Sequence, residues 1–392
     1  MEQKQLNREQ QEVLALLKEI DAVCRKNQIT YFLSPRLTLC ATEGKPFPSN
    51  PLSGNILMKV SEMERFRKAT EAELPEGRGL ESMKNNPRFP GFFLRYENKN
   101  TLCYRLYEGR NYQYPGIGIN ILPLRVKNAS KRTRAWDQRL ETGWVQTCDN
   151  DRYEMDLYRF VCGWMVRLLG IFGRCSLGKR IYDRLCVSQA SEEVKKYELR
   201  WSRRMSYSYP AAVFETAKDA MLEGETFLIP GEEDAYLKTT FGKNYKNRSF
   251  RDEPSPLTTM ISARISCEDF LREAGPLKKL VKARRRQFLA DNYADRSKEY
   301  FNWCWEYARL CADRKELTAD YTGKKEYIRN LWENRDLARL EKAFQPYKKM
   351  MNRCLDAEEI FEPDPEILDI YLGYLEETGA LKTLEKIRTY RK

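Results

Sequence analysis

The chain of 392 residues contains no histidine. That absence excludes a Ser-His-Asp triad, a Cys-His dyad, every His-containing zinc or iron site and imidazole as an acid, base or pH switch. Any catalysis must run on carboxylates, Lys, Tyr, Cys or a metal held by oxygen. The eleven cysteines form no C-x-x-C pair, so a zinc site built from four cysteines is not expected. Scattered through apolar contexts, they read as buried free thiols of a reducing cytoplasm. The polar, charged start from Met1 to Glu12 lacks the apolar core of a signal peptide. The longest apolar stretch, Phe160 to Gly173, is interrupted by Arg167 and falls short of the roughly 20 residues of a membrane span. It is expected to be a buried helix, with membrane-surface contact as the alternative. A cytoplasmic location follows, with the inner membrane face as the place for any peripheral contact.

Charge is present in excess of one sign. Lys and Arg number 69 against 57 Asp and Glu, a net +12, which suits a phosphorylated ligand, an anionic membrane surface or nucleic acid. The sharpest cluster is Lys278, Lys279, Lys282, Arg284, Arg285 and Arg286, punctuated at helical spacing by Leu277, Leu280, Val281 and Phe288. Its plain reading is one solvated basic face of a packed helix, and its functional reading is contact with an anionic partner. No RNP motif or zinc finger accompanies it, so nucleic acid is not favoured.

Along the chain, Gln10 to Lys26 predicts a helix with Val13, Leu17, Ile20 and Cys24 on one buried face. Ile29 to Leu33 reads as a buried strand. Ser34 to Gly54, with four Pro and two Gly, reads as loop with one helical turn around Leu37 to Ala41. Asn55 to Val60 follows as a strand, and Ser61-x-x-Glu64 as a capping box opening a helix to about Glu73. Pro90 to Glu108 predicts a hairpin about Asn98-Lys99-Asn100, and Ile117 to Leu122 a strand stopped by Pro123. From Ser130 the texture is helical, including Tyr153 to Leu169 and Ser188 to Arg204. Asn247 to Pro256 reads as a linker. Cys267 to Leu289, Arg296 to Asp313, Lys325 to Cys354 and Asp364 to Glu377 follow as helices, the last closed by Gly379. The fold class is therefore α+β. A mixed-sheet domain over residues 7–250 precedes a helical region over 257–392, which the apolar content of Tyr300 to Cys311 predicts to dock on it.

Three stretches carry a resemblance. The first runs from Leu14-x-x-Leu17-x-x-Ile20-Asp21-x-x-Cys24 through Ile29-Thr30-Tyr31-Phe32-Leu33-Ser34 to Met63-Glu64-Arg65-Phe66. The second is Asn100-Thr101 with Gly116-Ile117-Gly118-Ile119-Asn120-Ile121-Leu122-Pro123-Leu124. The third is Leu222-Glu223-Gly224 with Ile229-Pro230, Asp234, Leu237, Phe241-Gly242 and Tyr245. Together, over about Asn7 to Tyr245, they resemble the LicD family. The resemblance implies a nucleotidyltransferase-like mixed sheet flanked by helices, and transfer of phosphocholine or another phosphorylated alcohol onto cell-surface glycans such as lipopolysaccharide or teichoic acid. Fukutin-type proteins are distant relatives.

The departures from that family are chemical. Its Gly-Thr-Leu-Leu-Gly loop is replaced by Pro35-Arg36-Leu37-Thr38-Leu39-Cys40-Ala41, which lacks the glycines that let backbone approach phosphate. The family's metal-holding acids fall on Ser53, Asn55 and Asn120. Two carboxylates in an Asp-x-Asp share one side of a strand and a third completes a Mg²⁺ site with the substrate phosphates; three neutral residues remove that charge. Asp149-Asn150-Asp151 and Asp156 have acid spacing but read as charges before a helix, and Asp21 and Asp234 as solvated or capping residues.

Three readings stand. In the first, the chain is a pseudoenzyme that binds a glycan, a nucleotide-activated precursor or an active LicD-like paralogue, with no cofactor and no metal. In the second, it is an active phosphotransferase with a displaced or metal-independent site, where Arg36 and Thr38 contact phosphate; Mg²⁺ belongs to this reading alone. In the third, it is a basic adaptor for anionic membrane or nucleic acid. The first reading also implies that Asp at positions 53, 55 and 120 together restores divalent-cation binding.

Overall fold

A computed structural model of the chain describes residues 5–86, 89–105, 116–127, 131–148, 157–171, 173–187, 194–200, 206–247, 259–273, 297–356 and 359–391. Two compact units divide it, Met1–Cys267 and Glu268–Lys392. In chain order the first holds α1 (Arg8–Lys26), β1 (Phe32–Leu33), α2 (Pro35–Glu43), β2 (Ile56–Lys59), α3 (Val60–Ala72), β3 (Arg78–Glu81), β4 (Leu94–Asn98), β5 (Leu102–Arg105) and β6 (Ile117–Val126). It continues with α4 (Lys131–Cys148), α5 (Leu157–Leu169), α6 (Arg174–Tyr182), β7 (Lys196–Arg200), β8 (Ser206–Pro210), β9 (Ala217–Leu222), β10 (Glu225–Pro230), α7 (Glu233–Phe241) and β11 (Thr259–Ser262), and α8 (Cys267–Glu273) begins at its end. The second unit is helical, with α9 (Ser297–Gly323), α10 (Lys325–Glu333), α11 (Leu337–Asp356), α12 (Pro365–Glu377) and α13 (Leu381–Tyr390). The chain is thus α+β: a mixed sheet with helices, followed by a helical C-terminal region.

The long strand β6 organises the sheet. It pairs in parallel with β2 and antiparallel with β4 over its first half and with β7 at its end. Strand β1 extends the β2 side, β3 the β4 side and β8 the β7 side. One face of the sheet lies under α1: Gly54, just before β2, sits so close to Val13 of α1 and Ile119 of β6 that a Cβ there would come within 2.4 Å and 3.1 Å of them. The Val13, Leu17, Ile20 and Cys24 stripe of α1 is buried there. Asn7 caps α1 in a capping box with Gln10. The opposite face carries a core of Phe32, Leu57, Leu124, Phe214, Tyr236 and Leu237 among others. The β9–β10 hairpin turns through Glu223 and Gly224, both at positive φ, the backbone a two-residue primed turn requires.

Several expectations are corrected. The charged segment Ser188–Arg204 is not a helix where it is described: β7 occupies Lys196–Arg200. Tyr197 and Leu199 pack into the core while Glu198 and Arg200 pair on the other side, so a period of two fits the residues better than the helical one. The hairpin expected over Pro90–Glu108 does not form. Strand β4 already has β3 and β6 on its two edges, so β5 pairs with β11 in a separate two-stranded sheet. Pro123 does not stop β6, because β6 has no partner on the β4/β7 side at residues 122–124 and a missing N–H is tolerated there. Ser61 is not a cap. Helix α3 starts at Val60 with Lys59 at the N-cap, and Glu64 instead pairs with Lys84 and Arg67 and accepts from the Tyr182 hydroxyl. The single turn expected near Leu37 is a full helix, α2, begun by Pro35 and ended by Gly44 at φ 59°. Helix α5 is not buried; Cys162, Gly163 and Val166 pack inward and its large side chains point out.

In the second unit, Pro346 interrupts α11. The Tyr321 hydroxyl repairs the break: it donates to the Ala343 carbonyl at 2.7 Å and accepts from the Tyr347 N–H at 3.0 Å, replacing one i to i−4 bond of the helix. Tyr321, Phe344, Tyr347, Phe361 and Tyr371 form a chain of edge-on contacts about that point. Tyr321→Phe keeps the ring and strands both buried backbone groups, so chemical denaturation should show a loss of about 2 kcal/mol; an unchanged midpoint would show that the hydroxyl is dispensable.

Candidate functional site

The register of β2 and β6 brings two of the expected site residues together. Ile56 pairs with Ile121 in parallel, so the preceding residues, Asn55 and Asn120, stand side by side one strand spacing (~4.8 Å) apart on the same face. Ser53 ends the single 3₁₀ turn Pro51–Ser53 before β2, and its carbonyl accepts from the Asn55 N–H at 3.0 Å. Asn55 is buried; its Nδ2 donates to the Leu52 carbonyl at 3.2 Å and its carbonyl accepts from the Ser34 N–H at 3.1 Å. Two buried oxygens here, Asn55 Oδ1 and Ser34 Oγ, have no hydrogen-bond partner.

Sequence reasoning missed the residue that dominates this place. Arg95 pairs across β4–β6 with Asn120 and is only 1% exposed. Its Nη1 donates to Asn120 Oδ1 at 2.9 Å, its Nη2 to the Gly116 carbonyl at 2.9 Å, and its Nε to Glu97 Oε2 at 3.2 Å. Gly118 of β6 makes room for it, and Gly116, just before β6, lets the strand start lie against Asn98. A Cβ on Gly118 would lie 3.0 Å from Arg95 Cζ and 2.8 Å from Glu97 Cβ, and one on Gly116 would lie 1.8 Å from the Asn98 carbonyl oxygen. The readable signal was Arg95-x-Glu97, an opposite-charge pair on one face of a strand, with a neighbouring strand that carries Gly118 where a side chain would crowd it. Burial pushes the Glu97 carboxyl up to about 7, with Glu81 adding to the rise and Arg95 opposing it.

The phosphate-facing residues of the second reading diverge. Arg36 and Thr38 both lie on α2, but Thr38 is buried and its hydroxyl donates to the Leu33 carbonyl at 3.1 Å, while Arg36 is half-buried. The N-terminus of α2 carries Pro35, which has no N–H, after an N-cap Ser34 whose side chain accepts nothing. Asp21 accepts from the Tyr31 hydroxyl at 2.7 Å and from Arg25, and Asp234 accepts from the Tyr245 hydroxyl at 3.0 Å and pairs with Lys238, so both are engaged in packing. Among the described residues no group of three Cys, Asp or Glu is placed to hold a metal ion. Asp149, Asp151 and Asp156 lie outside the described residues, as do Lys278, Lys279, Lys282, Arg284, Arg285 and Arg286. In the second unit the sequence had not indicated a cleft of about 430 Å³ lined by Tyr321, Lys324, Tyr327, Ile328, Arg339 and Lys342.

Comparison of the chain with family models, with curated proteins and with solved structures returns no match.

The raised carboxyl gives a pH test. Between the ordinary value of 4.5 and about 7 the folded protein holds a proton that the unfolded chain has released, so stability falls as pH rises through that window and is flat above it, a change on the order of 3 kcal/mol. Glu97→Gln should remove this fall, whatever it costs in overall stability through the unpaired Arg95 guanidinium. Denaturation curves between pH 4.5 and 8 read it, and parallel slopes for the two proteins would exclude Glu97 as the source.

Proposed function

We propose that this chain is a LicD-like protein of nucleotidyltransferase type in which the metal site has been converted into an internal Arg–Asn–Glu link, and that it acts by binding. Its ligand on this reading is a phosphorylated or nucleotide-activated precursor, or the acceptor glycan, held for an active relative in cell-surface glycan modification. The observation that carries the reading is the Arg95 guanidinium on Asn120, beside Asn55. A divalent ion at that place would face this charge at ~4.5 Å, a repulsion of roughly 7 kcal/mol at an effective dielectric of 20, with no carboxylate at positions 53, 55 or 120 to offset it. What remains half-buried at this end of β2 and β6 is Ser53 and Asn120, hydroxyl and amide groups suited to sugar hydroxyls and phosphate oxygens.

Arg95 also changes what restoration of the acids should do. An aspartate at position 120 would pair with Arg95 and lose much of its charge to it. Ser53→Asp, Asn55→Asp and Asn120→Asp together should therefore gain little Mg²⁺ or Mn²⁺ affinity, and the same triple with Arg95→Gln should gain about tenfold or more over it, since removing one nearby cation is worth more than 1.4 kcal/mol at this range. Calorimetric titration with MgCl₂ and MnCl₂ reads both. The unmodified protein should bind neither ion above a control and should show no transfer from nucleotide-activated alcohols. Robust metal-dependent transfer by the unmodified chain would favour the active phosphotransferase instead and overturn this reading.

A further inference from the structure

Helix α5 is built the wrong way round for a helix of a water-exposed surface. Leu157, Phe160, Val161, Trp164 and Leu168 recur at i, i+3, i+4, i+7 and i+11, which places them within an arc of about 100°, and that arc faces outward. Leu157 is 78% exposed, Val161 and Leu168 56% and Trp164 50%. The inward side is made of small residues. A Cβ on Gly143 of α4 would come within 2.3 Å of the Cys162 carbonyl oxygen, and one on Gly163 within 3.0 Å of Gln146, so α4 and α5 are held at close backbone approach while the large side chains are left outside. Ile171, beyond the helix end, extends the patch and is 67% exposed. A contiguous apolar patch of this kind marks an interaction surface.

Charge decides what covers it. From Leu157 to Tyr182 the chain carries Arg159, Arg167, Arg174, Lys179 and Arg180 and no Asp or Glu. Arg167 is exposed at the edge of the apolar arc, and Arg174, Lys179 and Arg180 are exposed on α6. Trp, Phe and Leu presented together on a stretch whose charged residues, between Asp156 and Asp183, are all cations fit the interface of an anionic bilayer, where the rings enter the acyl boundary and the cations meet phosphate headgroups. Among the described residues no helix is long and apolar enough to cross a membrane. We propose that α5, with the basic residues of α6, is a peripheral docking surface for anionic lipid bilayers. This goes beyond the binding role of the sheet and is independent of it.

Flotation of the full chain tests it. With phosphatidylcholine vesicles containing about 30% phosphatidylglycerol the protein should float, and with phosphatidylcholine alone at least about tenfold less should. Raising NaCl to about 0.5 M should weaken the first. Trp164→Glu with Leu168→Glu should abolish flotation, and Lys179→Glu with Arg180→Glu should reduce it about tenfold; all four positions are exposed, so circular dichroism melts should match the native protein. Absence of flotation by the native chain, or equal flotation by the Trp164→Glu, Leu168→Glu variant, would overturn the proposal. So would light scattering that shows a dimer dissociated by that variant without vesicle binding, since a second copy would then be the occupant.

Discussion

The guanidinium of Arg95 makes three hydrogen bonds inside the sheet, and the arrangement of β4 and β6 around it follows from accommodating them. A buried cation is tolerated only when paired and hydrogen-bonded. Here Glu97, Asn120 and the Gly116 carbonyl supply the acceptors, and the absence of a Cβ at Gly118 supplies the space. Because β6 also carries β2 in parallel on its other edge, the same strand that holds Arg95 sets Asn55 beside Asn120. Arg95 thus links the β4 edge of the polar end to Asn120 on β6. Beyond that end the same face turns apolar, with Leu57, Leu122 and Leu124 meeting α2 and α7.

The chemical consequence is an inversion. A carboxylate pair at adjacent strand ends collects a divalent cation; an amide pair with a guanidinium on one member repels it and keeps its hydrogen-bonding capacity. Glu97 lies on the far side of the guanidinium from Asn120, bound to its Nε. The oxygens of Ser34 and Asn55 are buried beside this end of the sheet without a hydrogen-bond partner. Pro35 leaves the start of α2 one N–H donor fewer, which weakens it as a phosphate cradle and leaves side chains such as Arg36 to meet an anion.

Much of this fold was legible because it rests on periodicity. The four-residue stripe of α1 and the apolar runs at Ile56 and Ile117 read correctly, and β2 with β6 set the adjacency of Asn55 and Asn120. What was not legible depends on neighbours. Tyr197 and Leu199 fit a strand only once β6 and β8 lie beside them. The aromatic runs on either side of Asn98 look like a hairpin until β4 is seen with both edges taken. Hydropathy marked α5 as apolar but carries no sign for inside or outside, and the small residues Cys162 and Gly163, not the large ones, turned out to face α4. At the candidate site Ser53, Asn55 and Asn120 came from a resemblance, while Arg95 and Glu97 looked like ordinary alternating polar positions until Asn120 and Gly118 were found opposite them.

The central claim is that Arg95 occupies the charge that a metal would need. Crystals of the full chain soaked in MnCl₂ with a nucleotide-activated alcohol, and measured at the manganese absorption edge, test it directly. The account predicts no anomalous peak beside Asn55 and Asn120, with Arg95 Nη1 still donating to Asn120 Oδ1. A manganese ion ligated at that place, with the Arg95 side chain rotated away from Asn120, would contradict it.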